Sequence, residues 1–197
     1  KVASGHNSSY GEVWWFYPSK SSQTNDRYVI YNYQEKIWYF GTLARTAWVD
    51  RGINQYPIAA STDNKLYYHE FGQDDGSTNP ASAISANIES SQIDIGDGEK
   101  FAFIRKVIPD VTFRDSTNEA PVVSMVMKTR NFPGVTFNET STNTVTQSVS
   151  SPVELFTEQL HVRLRGRSFA FRIESDATGV MWRLGTPRLE VRPDGRR

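Results

Sequence analysis

The hydrophobic residues of this chain fall in short runs, and Gly, Pro, Asn, Asp and Ser separate the runs. No long window repeats apolar residues at the i, i+3, i+4 and i+7 spacing of an amphipathic helix. Short runs of β-branched and aromatic residues between turn residues are typical of strands. The pattern therefore predicts an all-β protein.

The first part of the chain, residues 1–76, is predicted to contain strands like those of β-propeller blades. Aromatic and aliphatic runs recur there with polar turns between them, and the short Gln34–Lys36 turn predicts that the runs on either side of it form a hairpin. A blade consists of a few short antiparallel strands with aromatic side chains packed between neighbouring sheets. About one and a half blades are expected here, with further blades preceding Lys1; another β architecture is the alternative. The predicted strands are Val13–Tyr17, Tyr28–Tyr33, Ile37–Phe40, Ala44–Val49, Pro57–Ser61 and Leu66–Phe71.

Residues 77–92 are small and polar, which predicts a linker or crossover into a second domain over residues 93–197. The end of that domain alternates most clearly: Leu160, Val162 and Leu164 share one face of a strand, and Arg163 and Arg165 share the other. Three more runs with the same alternation follow. We expect a meander of about four half-buried strands that forms one sheet of a β-sandwich.

Charge is balanced over the 197 residues, with 22 basic and 22 acidic side chains. This balance argues against a general electrostatic nucleic-acid binder. The last 38 residues differ, because they hold nine arginines and only four acidic residues. There is no cysteine, which excludes disulfides and thiolate chemistry in this sequence. No apolar run approaches the roughly 18 residues of a membrane helix, so no stable membrane insertion is expected.

Six arginines of this last segment are predicted to line the outer face of one sheet. Three interpretations remain open: a solvated face, a subunit interface and a contact with DNA. Arginine is enriched at interfaces because its planar fork binds carboxylates and stacks on aromatic rings. The candidate interface residues are Arg163, Arg165, Arg172, Arg183, Arg188 and Arg192.

Aromatic residues are the other prominent feature, with 5 Trp, 9 Tyr and 11 Phe. Neighbouring residues in a strand point to opposite faces, so paired aromatics such as Trp14–Trp15 and Tyr67–Tyr68 cannot all enter one simple core. Burial on both faces of a blade would explain them. Alternatively, Trp14, Trp15, Tyr67 and Tyr68 form an exposed aromatic platform for sugars or a protein partner.

No enzyme signature is present in the sequence. His6, His69 and His161 are far apart and lack metal-ligand spacing, and no phosphate-binding loop or serine nucleophile elbow occurs. We therefore expect no catalytic residue, no metal and no cofactor. Scattered carboxylates leave a glycoside-cleaving enzyme as a minor alternative.

The order of these segments resembles a family of short-tailed phage proteins that contain a β-propeller, known as tail hub, nozzle or packaged-DNA stabilisation proteins. The most specific part is the ending, with its RGR, WRLG and RPDGRR motifs. The stretches that carry the resemblance are Glu12–Tyr17, Arg27–Asn32, Lys36–Thr42, Arg45–Gly52, Pro57–Glu70 and Gln159–Arg197.

The resemblance implies a structural protein of the phage tail, made in the bacterial cytoplasm and present in the virion. It implies a homo-oligomeric ring, possibly a hexamer, that forms a nozzle and retains packaged DNA. The expected partners are a portal or adaptor, a tail fibre or needle, and DNA that passes through without sequence recognition. The alternative is a carbohydrate- or receptor-binding β module of a phage tail that uses exposed aromatics.

Overall fold

Antiparallel strands account for all the regular secondary structure that the computed structural model describes, which covers residues 1–94, 98–131 and 147–195. The prediction of an all-β protein is confirmed. The chain divides into two compact units, Lys1–Gly72 and Gln73–Arg197. In the described ranges, no helix has the length and hydropathy that a membrane span requires.

The first unit contains two antiparallel sheets in which neighbours in the chain are neighbours in space. Four strands form the first sheet in the order β1-β2-β3-β4, and three form the second in the order β5-β6-β7. The predicted hairpin at Gln34–Lys36 is confirmed, since it joins β3 to β4. The strands are β1 (Ala3–Asn7), β2 (Glu12–Tyr17), β3 (Arg27–Asn32), β4 (Ile37–Thr42), β5 (Ala47–Val49), β6 (Ile58–Ala60) and β7 (Leu66–Tyr68).

The core of this unit lies on one face of the β1–β4 sheet, where Trp14, Phe16 and Ile30 are buried. Trp48 of β5 covers this face, with its ring centroid 5.1 Å from that of Trp14 and 5.9 Å from that of Phe16. Its indole Nε1 donates a 2.9 Å hydrogen bond to a backbone oxygen of β1. Gly5 makes this approach possible, because a Cβ atom there would lie 2.4 Å from the Trp48 ring.

The described residues of the second unit form ten strands in three sheets. One sheet has the order β14-β10-β17, another has the order β13-β12-β15-β8 with β9 also paired to β15, and β11 pairs with β16. The strands are β8 (Ala86–Glu89), β9 (Ile93–Asp94), β10 (Ala102–Ile108), β11 (Val111–Thr112), β12 (Val122–Arg130), β13 (Gln147–Glu154), β14 (Leu160–Gly166), β15 (Ser168–Ser175), β16 (Arg183–Leu184) and β17 (Arg188–Pro193).

One hydrophobic core is shared by the two larger sheets. The β14-β10-β17 sheet contributes Ile104, Val107, Val162 and Leu164 to this core, and the five-stranded sheet contributes a second group of buried side chains. The core residues of that second sheet are Val123, Met125, Met127, Val153, Phe169 and Ile173. Except at Phe169, whose two neighbours are also buried, these positions alternate with more exposed ones along their strands, so each sheet has an inner and an outer face.

The prediction of a linker over residues 77–92 is wrong at its end. Residues Ala86–Glu89 form β8, which pairs with β15, and Ile88 lies opposite Ile173. The segment is polar because β8 is an edge strand in which three of the four residues are exposed, so its hydrophobic signal is weak.

The prediction of a C-terminal meander is also wrong. The strands β14 and β15 follow each other in the chain, but β14 pairs with β10 and β15 pairs with β12. The chain crosses between the two sheets at Gly166, where a Cβ atom would lie 2.7 Å from Thr129 Cβ. Alternation indicates which face of a strand is buried, and it carries no information about which strand is the neighbour.

Candidate functional site

The outer face of the β14-β10-β17 sheet is the most basic surface that the sheets of the second unit present. Leu164 and Val162 of β14 point into the core, so Arg163 and Arg165 point outward. On the opposite edge strand, Leu189 points inward, and Arg188 and Arg192 therefore also point outward. We call this outward surface the basic face.

The central strand adds charge to the basic face that the sequence analysis did not identify. The pairing register shifts between Ile104 and Lys106, and Arg105 lies exposed at this bulge. Phe103 lies directly between Arg165 and Arg192 in the register and is half-buried. In the sequence, Arg105 and Lys106 are visible as a basic pair inside an apolar run. The bulge that exposes Arg105 forms only when β10 pairs with both β14 and β17.

Two carboxylates balance part of this charge. Glu190 accepts a 3.1 Å hydrogen bond from Arg192 and lies 3.7 Å from Lys106, and Arg165 pairs with Asp194. The Arg192 hydrogen bond, followed by the charges of Lys106 and Arg105, lowers the pKa of Glu190. The carboxylate is therefore ionised at neutral pH.

Three arginines of the basic face have no salt bridge within the described ranges. These are Arg105, Arg163 and Arg188, and all three side chains are exposed. A shallow depression of about 480 Å³ lies among the side chains of this face. Its lining consists of Phe103, Arg105, His161, Val162, Arg163 and Arg192.

The predicted stripe of six arginines is wrong as a single surface. Arg172 lies in the five-stranded sheet, where it is 2.7 Å from Glu174 and 3.3 Å from Glu89. Arg183 lies in the small β11-β16 sheet, 3.6 Å from Asp115. A single arginine surface required the C-terminal strands to pair in one sheet. Because these strands belong to three different sheets, the six arginines lie on different surfaces.

The four predicted aromatic contact residues also have different environments. Trp14 is only 9% exposed and donates a 3.0 Å hydrogen bond to Glu12, so its assignment as a contact residue is wrong. Trp15 is half-buried on the opposite face of the same sheet. Tyr67 is half-buried as well, with its hydroxyl 2.5 Å from Asp63, and Tyr68 is exposed.

The most exposed aromatic surface was not predicted as a site. It is the face of the β1–β4 sheet opposite Trp14, which we call the aromatic face. Phe40 is 83% exposed and Trp38 is 62% exposed at its edge, where the Trp38 ring centroid lies 4.6 Å from that of Tyr31. The pairing register places six large apolar side chains on this face: Val13, Trp15, Val29, Tyr31, Trp38 and Phe40.

The β5–β7 sheet has an exposed apolar face too. The face of this sheet that meets the core carries Trp48, Ala59 and Tyr67, which lie side by side on the three strands. The residues next to them in each strand point to the opposite face. Val49, Leu66 and Tyr68 are exposed there, and Tyr68 contacts a pair of aromatic rings, those of Tyr56 and Phe71. Both outer surfaces of the two stacked sheets are therefore apolar.

The titratable groups of the first unit serve local structure. His69 Nε2 accepts a 2.9 Å hydrogen bond from Arg45 Nε, and burial lowers the pKa of His69 to about 4. His6 lies 3.1 Å from Asp50 and is half-exposed. Across the described ranges, no group of three or more His, Asp or Glu side chains has the arrangement of a metal site.

Comparison with known proteins does not assign this chain to a family: no family model matches it, and a search of curated proteins gives no match either.

Proposed function

We propose that this protein is a structural component of a phage tail that assembles into a ring or nozzle through which packaged DNA passes. The observation that carries the proposal is the pair of stacked sheets in residues 1–72, with exposed apolar side chains on both outer surfaces. Monomeric proteins rarely expose contiguous apolar surface of this kind, and larger patches mark interaction sites.

The stacked sheets have the features of propeller blades. The β1–β4 sheet is a four-stranded antiparallel meander, and Trp48 fills the space between it and the next sheet. In a propeller, both faces of each blade are covered by neighbours, so both are apolar. We propose that residues 1–72 are propeller-like blades and that the two sheets of the second unit form a β-sandwich-like domain.

The two exposed apolar surfaces differ from each other, and this favours a ring. When the aromatic face of one copy packs on the β5–β7 surface of the next, the contact is head-to-tail, and such contacts close into a ring when the rotation permits. Six large uncharged side chains make up most of the aromatic face, which suits an apolar neighbour, and Arg27 lies on the same face at the start of β3. The proposal includes a portal or adaptor and a fibre or needle as partners, and no catalysis.

A charged residue in the aromatic face tests this assembly. Phe40→Lys places an ammonium group where Phe40 is 83% exposed, so the fold should survive and the ring contact should not form. Tyr10→Lys is the matched control, because Tyr10 is exposed in the turn after β1. We expect the mass in solution to fall to that of the monomer for Phe40→Lys only. An unchanged oligomer mass in both variants would contradict the proposed contact.

The exposed aromatic edge favours a second candidate function, carbohydrate binding on the tail. Trp38 presents an aromatic side chain of the type on which pyranose rings stack, and it is 62% exposed. Glycan-array binding that is lost in Trp38→Ala, while the protein stays monomeric, would replace the ring proposal. Trp14→Ala is unsuitable for this test because Trp14 belongs to the core.

A further inference from the structure

The two larger sheets of the second unit differ in how many of their surface cations form salt bridges. On the five-stranded sheet, Lys128 lies 2.8 Å from Glu89, and Arg172 is held between Glu89 and Glu174. Both of these cations therefore lie within salt-bridge distance of a carboxylate. On the basic face of the other sheet, Arg105, Arg163 and Arg188 have none among the described residues.

The basic face therefore concentrates like charge on three short strands. Six cations lie there with two carboxylates, so the mutual repulsion of the cations is only partly offset. An anionic ligand would relieve this repulsion. Arginine suits such a ligand, since its planar fork donates two parallel hydrogen bonds to a phosphate or carboxylate.

The spacing of the cations favours a polymer that repeats its charge along a chain. Outward residues of one strand lie about 7 Å apart, and the two edge strands of a three-stranded sheet lie about 10 Å apart. Arg163 and Arg165 form one row at this spacing, and Arg188 and Arg192 form the other at about twice this spacing, with Glu190 between them. Between the rows, Phe103 lines the depression at the centre of the face, where an aromatic ring can stack on a base.

We propose that the basic face binds the phosphodiester backbone of nucleic acid without reading its sequence. The arginines contact phosphates, and Phe103 offers a stacking surface to an unpaired base. The inference rests on the proposed function in one respect, because it names the surface that would meet the DNA in the channel. The binding itself needs no ring.

The test measures fluorescence anisotropy with fluorescein-labelled oligothymidine and a labelled random-sequence duplex, each of about 20 nucleotides per strand. With about four phosphate contacts, we expect log K to fall with log salt with a slope of about −3 to −4. Tighter binding of oligothymidine than of duplex would reflect stacking on Phe103.

The key variant is Arg105→Glu with Arg163→Glu. Both side chains are exposed and have no salt bridge among the described residues, so the exchange should leave the fold intact, and a thermal melt checks this. We expect at least about a tenfold loss of affinity and a salt slope smaller by about two. Arg105→Gln with Arg163→Gln should show a smaller loss of affinity. This variant replaces the Glu variant in the test if the Glu variant fails to fold.

The matched control is Arg114→Glu with Arg183→Glu. It makes the same change in net charge at exposed positions away from the basic face, where both side chains lie near Asp115. We expect less than about a twofold change in affinity for this control. Equal losses in both variants would show a response to net charge alone and would overturn the inference.

Other outcomes also decide the question. The absence of nucleic-acid binding at low salt overturns the inference, and so does binding of labelled polyglutamate in place of DNA. A change in oligomer mass in Arg105→Glu with Arg163→Glu, with DNA binding retained, would make the basic face a subunit interface instead. Rings without DNA binding overturn this inference alone, and DNA binding without rings overturns the proposed function alone.

Discussion

His69 is a half-buried titratable side chain that links the stability of the first unit to pH. Its ring centroid lies 4.7 Å from that of Trp48, and its Nε2 accepts a hydrogen bond from Arg45. Protonation would remove that acceptor and place two positive charges together. Burial, followed by the charge of Arg45, lowers the pKa from 6.5 to about 4.

Because of His69, we expect the free energy of unfolding to decrease as the pH is lowered. Its contribution is fully present above about pH 6.5, declines as the unfolded state takes up its proton, and is lost at about pH 4; the total is up to about 3 kcal/mol. Urea unfolding between about pH 7 and pH 4.5 should therefore depend less on pH in His69→Gln than in the wild type. His161→Gln, an exchange at an exposed histidine of the basic face, is the control. Identical pH profiles for His69→Gln and the wild type would contradict this role.

Individual residues also show where sequence reasoning reached its limit. The pair Trp14–Trp15 indicated correctly that aromatic side chains occupy both faces of one strand. Which of them is buried depends on Trp48, a residue more than thirty positions away that covers the Trp14 side. Trp38 and Phe40 became the exposed aromatics because β4 is the edge strand of its sheet.

At the scale of elements, strand positions were largely predictable and strand partners were not. Alternation of Leu160, Val162 and Leu164 with polar residues located β14 and its buried face. The assignment of β14 and β15 to different sheets follows from long-range packing in a shared core. The first strand, Ala3–Asn7, was missed because its sequence has no large apolar residue, and its place comes from backbone pairing with β2.

The shared core predicts that the two larger sheets of the second unit unfold together. Leu164→Ala removes a fully buried side chain of β14, which should lower the free energy of unfolding by about 2–5 kcal/mol. Amide hydrogen exchange should then rise in β12 as well as in β14, since both contribute to one core. Val122→Ala, at a partly exposed position, is the control. Faster exchange confined to the β14-β10-β17 sheet would contradict a single core.

At the scale of the whole molecule, each unit offers one kind of surface to a partner. The first unit exposes apolar side chains on two stacked sheets, and the second exposes an arginine-rich sheet face. The C-terminal arginines were visible in the sequence, but the residues that join them on one face, Arg105 and Phe103, come from a strand about sixty positions earlier. The apolar surfaces and the basic face consist of different residues, so each can be changed by mutation without the other.

Negative-stain microscopy of the purified protein, with its mass in solution measured on the same sample, shows whether the chain assembles into a ring. We expect closed rings with a central channel and a mass that is a fixed multiple of 22.4 kDa. A particle that stays monomeric at every concentration and salt tested would contradict this expectation.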